Sequence, residues 1–153
     1  MGEKTVEVRA GPYDLWMGFR LWQLPLRLAT GAYILNSGLG KRVPDEARAK
    51  RLKAQAELAY PQFAAMAPLD FQRLLSRAEI ALGVALLIPF LPSRLVGAGL
   101  AVFSGSLLRM YWRNPEMHPP GDPRPSGPGI GVSKDVWMFG IALALILGSG
   151  SAD

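Results

Sequence analysis

The chain has 153 residues, of which 50% are hydrophobic and 19% are charged, and its formal net charge is +5. This length suits one domain and leaves no room for a second soluble domain of ordinary size. Because the chain has no cysteine, it excludes a disulfide framework, a thiolate-bound iron–sulfur cluster and thiol exchange by the chain itself. The positive charge does not indicate a nucleic-acid partner, because the basic residues cluster beside apolar segments, as expected for contact with anionic lipid headgroups.

The first 20 residues carry mixed charges and lack the apolar core of a secretory signal peptide. Three aromatic residues near the first apolar stretch have amphipathic rings that suit a headgroup boundary: Tyr13, Trp16 and Trp22. We therefore expect these rings to anchor the chain at the membrane surface, and the apolar stretch after them to remain in the protein as a spanning helix.

Four apolar stretches dominate the rest of the chain, at residues 21–39, 74–91, 95–112 and 132–147. Each reaches or approaches the roughly 20 helical residues that cross a hydrocarbon core about 30 Å thick. The sequence therefore predicts an all-α fold, a polytopic membrane four-helix bundle that forms a single integral membrane domain over residues 1–153.

The loop between the first two spans, residues 41–77, is rich in alanine and charged residues up to Pro61. This composition predicts an amphipathic loop helix that ends at Pro61, followed by a shorter segment that returns to the membrane. Four apolar side chains of that segment are expected at the membrane interface: Phe63, Met66, Leu69 and Phe71.

The connection between spans two and three is predicted to be a short turn, and the one between spans three and four a long loop. The short turn at Pro92, Ser93 and Arg94 predicts that spans two and three are antiparallel neighbours. The proline-rich segment 114–133 predicts an extended or mobile connection. It contains the only histidine, His118, which is expected to be a solvated loop residue rather than a metal ligand, since no convergent ligands accompany it.

The distribution of lysine and arginine predicts the orientation of the bundle. Eleven of these residues lie on the side of the two long loops, and four lie on the side of the termini. By the positive-inside rule, the long loops are expected in the cytoplasm and both termini outside, in the plasma (inner) membrane of a prokaryotic cell.

Five polar residues within the predicted spans are the candidate site: Arg27, Asn36, Glu79, Arg109 and Asp135. Charges at this depth are costly, so they are expected to face the bundle interior and to pair, with Glu79 and Arg109 as the preferred pair. Two interpretations remain open. The group forms a pocket for a headgroup, a quinone ring or a proton, or it is a structural ion pair that fixes helix register.

Small residues recur at four-residue spacing in the last two spans and predict close helix packing. They are Gly97, Ala101 and Gly105 in span three, and Gly140, Ala144 and Gly148 in span four.

The segments LRLATGAYILNSGLGK, AEIALGVALLIPFLPSRLVGAGLAV and SKDVWMFGIALALIL together resemble the DoxX family of small four-helix membrane proteins. The motif residues are Arg27, Gly31, Gly40 and Lys41 in and after span one, Glu79 and Gly83 in span two, and Arg94 before span three. The resemblance implies a plasma-membrane protein that is often an accessory partner in redox or oxidative-stress assemblies, some relatives being membrane subunits of a thiosulfate:quinone oxidoreductase. A position that is often histidine in the family is Asn36 here.

Three functions are therefore considered. The first is a non-enzymatic accessory subunit that docks on another membrane protein or a larger complex, in contact with membrane lipids. The second is a quinone-binding subunit of a membrane oxidoreductase, with quinone as the one cofactor considered and Glu79, Arg109 and Asp135 around its headgroup. The third is a small proton-coupled transporter that uses one membrane glutamate. No catalytic residue and no metal site is predicted.

Overall fold

A computed structural model describes residues 21–148, so the N-terminal arm with the predicted anchors Tyr13 and Trp16 lies outside the described residues. The described chain is all-helical and contains no β-strand. The helices are α1 (Gln23–Gly40), α2 (Glu46–Ala59), a 3-10 turn (Pro61–Phe63), α3 (Pro68–Leu87), α4 (Ser93–Arg113), α5 (Ile130–Ser133) and α6 (Asp135–Leu147).

The second predicted span is displaced toward the loop. Helix α3 begins at Pro68 rather than at residue 74, because proline suits the first turn of a helix and Asp70 complements the positive end of the helix dipole there. It ends at Leu87 because Ile88 precedes Pro89 and takes an extended conformation, with ψ of 111°. The fourth predicted span is also interrupted, at Lys134 between α5 and α6.

The four long helices pack as two pairs, α1 with α3 and α4 with α6. The short connection from Leu87 to Ser93 confirms the predicted turn. Helices α3 and α4, which the short turn predicted to be antiparallel neighbours, are in contact but touch each other less than the helices within each pair do. A cleft separates the two pairs, and the candidate site lies in it.

Glycine permits the close approach within each pair. A Cβ atom on Gly83 of α3 would lie 2.6 Å from the backbone nitrogen of Leu35 in α1, a separation that no side chain tolerates. Gly97 of α4 lies against Ala142 and Leu145 of α6, as the small-residue pattern predicted. A Cβ atom on Gly140 of α6 would meet nothing within 4 Å, so that part of the predicted pattern does not mark a close helix contact.

Helix α2 and the residues after it cover the loop end of the bundle. The helix is capped by Asp45, whose carboxylate accepts a hydrogen bond of 2.9 Å from the backbone N–H of Arg48, and this bond holds the pKa of Asp45 below its ordinary value. The helix ends at Ala59, before Pro61 as predicted. The expectation that Phe71 lies in the membrane interface is wrong, because its ring is buried and packs edge to face on Phe63 at 5.0 Å.

The proline-rich connection between α4 and α5 is folded rather than extended. Met117 is buried, and Ser126 donates a backbone hydrogen bond of 2.9 Å to its carbonyl oxygen. His118 is partly buried, with its ring 5.3 Å from Tyr111 and 5.2 Å from Trp112. Tyr111 in turn donates a hydrogen bond to the backbone of the loop. The prediction of an extended connection is therefore wrong, whereas its mobility stays a prediction. His118 is less exposed than a fully solvated loop residue.

Two segments of the described chain are long and apolar enough to cross a membrane, Ser93–Arg113 with a mean hydropathy of 1.2 and Ile130–Leu147 with 1.8. Much of their apolar surface faces outward, since Val102 is 75% exposed and Trp137 is 71% exposed. A large exposed apolar surface suits hydrocarbon rather than water. Helices α1 and α3 carry more polar residues and do not meet the same test of length and hydropathy.

Candidate functional site

A cleft between α3 and α4 encloses a volume of about 760 Å³ among the described residues. Its lining is mainly apolar, and the loop end is closed by α2 and the 3-10 turn. Two of its lining side chains, Leu74 and Val102, are 47% and 75% exposed. The cleft therefore opens sideways, on the outer surface of the bundle. The lining residues that α3 and α4 contribute include Leu74, Leu75, Ala78, Glu79, Leu82, Gly99, Val102, Phe103, Ser106 and Leu107.

Glu79 and Lys41 form the only ion pair in the wall of this cleft among the described residues. The Lys41 ammonium donates to both carboxylate oxygens of Glu79, at 2.8 and 3.0 Å, and to the hydroxyl of Ser37 at 2.6 Å. The Glu79 side chain is 7% exposed and that of Lys41 is 16% exposed. Since α1 and α3 approach closely at their glycines, the lysine that ends α1 reaches back along the helix to the carboxylate.

A smaller chamber of about 180 Å³ lies on the other side of Glu79, between α1 and α6. Its polar lining includes Ser37 and Asp135, and it shares Glu79, Phe103, Leu107 and Val132 with the cleft, these shared residues standing between the two spaces. The structure thus brings two of the candidate residues, Glu79 and Asp135, to the wall of one chamber. Glu79 is also the one charged residue that lines both spaces.

Arg109 does not pair with Glu79, which corrects the preferred pair of the sequence analysis. It lies on the exposed flank of α4, and its guanidinium carbon is 4.9 Å from the centroid of the Tyr60 ring. Asn36 is likewise exposed and lines neither the cleft nor the chamber. Neither of these two candidates belongs to the described pocket.

Arg27 is almost fully buried, at 1% exposed, but it forms no ion pair with a carboxylate of residues 21–148. Its guanidinium donates to the backbone oxygens of Leu86 at 3.0 Å, Ile88 at 2.5 Å and Leu91 at 3.0 Å. Longer bonds of 3.3 Å reach the backbone oxygen of Ala85 and the hydroxyl of Ser93. These oxygens belong to the last turn of α3 and the connection to α4, where helix carbonyls lack intrahelical partners. Arg27 therefore caps α3 and holds the connection, at the opposite end of the bundle from the chamber.

Sequence reasoning missed Lys41 and Tyr60 as site residues. Lys41 was named only as the lysine at the exit of span one, and the signal for its role was its position directly after the apolar stretch, within reach of the last turn. Tyr60 had no comparable signal. Its place in the cleft wall depends on how the chain after α2 folds against α4, where its hydroxyl donates to the backbone oxygen of Ser106 at 3.3 Å.

No protein-family model, curated protein or solved structure matches this chain. The geometry of the site indicates what it can bind. An apolar space of this volume with a small number of fixed polar groups has the properties of a small-molecule pocket. The Lys41 ammonium and the Glu79 carboxylate supply a charged hydrogen-bond donor and acceptor in a mainly apolar wall. Among the described residues, no three metal-ligating side chains converge.

Proposed function

We propose that this protein is a four-span integral membrane protein that binds a lipid-soluble molecule in the cleft between its two helix pairs. The observation that supports this proposal is the cleft itself, about 760 Å³ of mainly apolar space that opens on the outer surface of the bundle beside Glu79. A molecule dissolved in hydrocarbon enters such a space sideways without crossing water. Helices α1 and α3 are the two further spans in this proposal, and six of their polar residues are buried: Gln23, Arg27, Thr30, Gln72, Ser76 and Glu79.

The proposed ligand has an apolar body and a small polar head, and a quinone is the cofactor that fits this description. Its apolar part would contact side chains such as Leu82 and Val102, and a carbonyl oxygen of its ring would accept a hydrogen bond from Lys41. A ligand oxygen that accepts a hydrogen bond from the Lys41 ammonium would lie beside the Glu79 carboxylate, at the same depth in the membrane. The pair therefore positions the head of the ligand, and the apolar walls supply most of the affinity.

The Lys41 contact favours binding over proton-coupled transport. A transporter of that class needs its membrane glutamate to exchange protons and ligand freely. Here both oxygens of Glu79 accept hydrogen bonds from one ammonium, which is itself anchored to Ser37. These charge-assisted hydrogen bonds hold the Glu79 carboxylate in one position, which does not suit a group that must exchange protons and ligand.

An accessory role in a larger membrane assembly, as the resemblance to the DoxX family implies, is compatible with ligand binding and is proposed with it. The proposed orientation places both long loops in the cytoplasm, on the side with eleven lysine and arginine residues against four. Residues of α2, in the loop between the first two spans, close one end of the cleft. In this orientation the cleft therefore lies in the cytoplasmic half of the membrane.

A blocked cleft is expected to abolish quinone binding. Leu82→Trp places an indole in the apolar wall opposite Gly99, whereas Leu143→Trp makes the same change at an exposed site of α6 outside both cavities. Binding of decyl-ubiquinone to the detergent-purified chain is measured by equilibrium dialysis and by the shift in unfolding temperature. At a hundredfold excess over the Kd, bound ligand stabilises the fold by about 2.7 kcal/mol.

The native chain and Leu143→Trp are expected to show saturable binding and the thermal shift, and Leu82→Trp neither. Glu79→Gln, which removes the charge that orients Lys41, is expected to weaken binding without abolishing it. Saturable binding that is unchanged in Leu82→Trp would place the ligand elsewhere, and no saturable binding by the native chain would refute the proposal for quinones.

A further inference from the structure

Two arginines on α4 lie outside every ion pair of the described chain. Arg109 and Arg113 are four residues apart, so they lie on one face of the helix, and both are exposed. No carboxylate of the described residues lies within 4.0 Å of either one. By contrast, Arg73, an exposed arginine on α3, bonds to Asp70 at 3.0 Å.

Arg109 is held in place by the wall of the cleft. Its guanidinium stacks over the ring of Tyr60 at 4.9 Å, and that ring lines the cleft. A guanidinium already held over a ring loses little further freedom when it binds an anion. The contact therefore prepares Arg109 for a ligand that approaches from outside the bundle.

The same face of α4 continues into apolar surface at the mouth of the cleft. Val102 lies seven residues before Arg109, two helical turns or about 10 Å along the axis, and is 75% exposed. Trp112, beside the two arginines, is 57% exposed and has the kind of ring that lies at a headgroup boundary. This face of α4 therefore has cationic groups at the loop end, an interfacial ring beside them and an apolar strip below. A membrane lipid has the matching order, with its phosphate at the surface and its acyl chains below.

We propose that Arg109 and Arg113 bind the phosphate of an anionic phospholipid from the leaflet on the loop side, with one acyl chain lying along Val102 over the mouth of the cleft. Arginine suits this ligand because its planar group donates two hydrogen bonds to phosphate. This inference rests on the membrane placement in the proposed function, but not on the identity of the molecule in the cleft. The lipid occupies the outer flank of α4, and the quinone occupies the space behind it.

The experiment uses the full chain, purified in mild detergent from vesicles of mixed phosphatidylglycerol and phosphatidylcholine. The retained lipids are quantified by mass spectrometry, for the native chain and for the double variant Arg109→Gln with Arg113→Gln. Each basic group near a membrane surface contributes about a fivefold preference for anionic lipid, so the double variant is expected to lose roughly 25-fold of its phosphatidylglycerol enrichment. Arg73→Gln is the matched control, because it removes one exposed arginine that already has a carboxylate partner.

Enrichment in the native chain and in Arg73→Gln, together with its loss in the double variant, supports the site. Equal enrichment in the double variant, or an equal loss in the Arg73→Gln control, overturns it, because the preference then reflects overall charge. Displacement of the lipid by inorganic phosphate also overturns it, since the acyl chain would contribute nothing. Flotation of the same vesicles separates the two proposals: protein that floats without lipid preference refutes this site alone, and protein that stays in the aqueous fraction refutes the membrane placement itself.

Discussion

Replacing Arg27 with methionine is expected to lower the free energy of unfolding by about 3 kcal/mol or more. Methionine fills similar space but donates no hydrogen bond, so the buried backbone oxygen of Leu86 and the partly buried one of Leu91 lose their partner. Each buried acceptor left unpaired costs about 1–3 kcal/mol. The measurement is thermal and denaturant unfolding of the detergent-purified protein, followed by far-UV circular dichroism.

Two controls separate this effect from a simple loss of charge. Arg77→Met makes the same substitution at an exposed site on α3 and is expected to change stability by less than about 0.5 kcal/mol. Arg27→Lys keeps the charge but lacks the planar fork, so an intermediate loss is expected. Equal stability of Arg27→Met and Arg77→Met would show that the carbonyl oxygens find other partners, and the capping role of Arg27 would be withdrawn.

Gly83→Ala is expected to separate α1 from α3 and to disturb the site as well as the fold. The added methyl group would lie 2.6 Å from the backbone nitrogen of Leu35 and 2.8 Å from its Cα, and backbone atoms do not move cheaply. Overpacking of this kind costs about 1–3 kcal/mol, although alanine favours the helix itself. Because Gly83 is one turn from Glu79, we also expect weaker decyl-ubiquinone binding, measured in the same dialysis assay.

The matched control is Gly140→Ala on α6, where the added methyl group meets nothing within 4 Å. The same substitution is expected there to leave stability unchanged or to raise it by up to about 1 kcal/mol through helix propensity. If Gly83→Ala were as stable as Gly140→Ala and bound quinone normally, the close crossing of α1 and α3 would not be a feature of the protein in solution.

Apolar pattern and proline position predicted the helices well. The turn before Ser93 and the end of α2 before Pro61 follow from local rules about proline, and the structure has both. The start of α3 did not follow from hydropathy, because its first turns include polar residues. Pro68 and Asp70 suit a helix start, and Gln72 adds tertiary contacts that the sequence does not reveal. That side chain is buried and donates to the backbone oxygens of Lys41 and Val43 at 2.9 Å each.

The partners of the buried charges were predicted poorly, for a physical reason. Arg27 bonds mainly to backbone oxygens. Every residue has such an oxygen, so the sequence does not show which of them a buried arginine will bond to. The sequence predicts Arg109 and Glu79 at similar depths in the membrane. Depth along the helix axis does not determine the direction in which a side chain points around the helix. The cleft itself depends on α4 packing on α6 instead of α3, a choice between faces that are all apolar.

The most direct test of the account asks whether hydrocarbon lies at the mouth of the cleft. Since the chain has no cysteine, Val102→Cys provides a single site for a fluorescent label, on a side chain that both lines the cleft and is exposed. The labelled protein is reconstituted into vesicles and exposed in turn to brominated lipids and to aqueous iodide. Strong quenching by the brominated lipids with little quenching by iodide is the result that we predict. Strong quenching by iodide with none by brominated lipid would show that water reaches the cleft from outside, and it would contradict the proposal that this protein takes its ligand from the membrane.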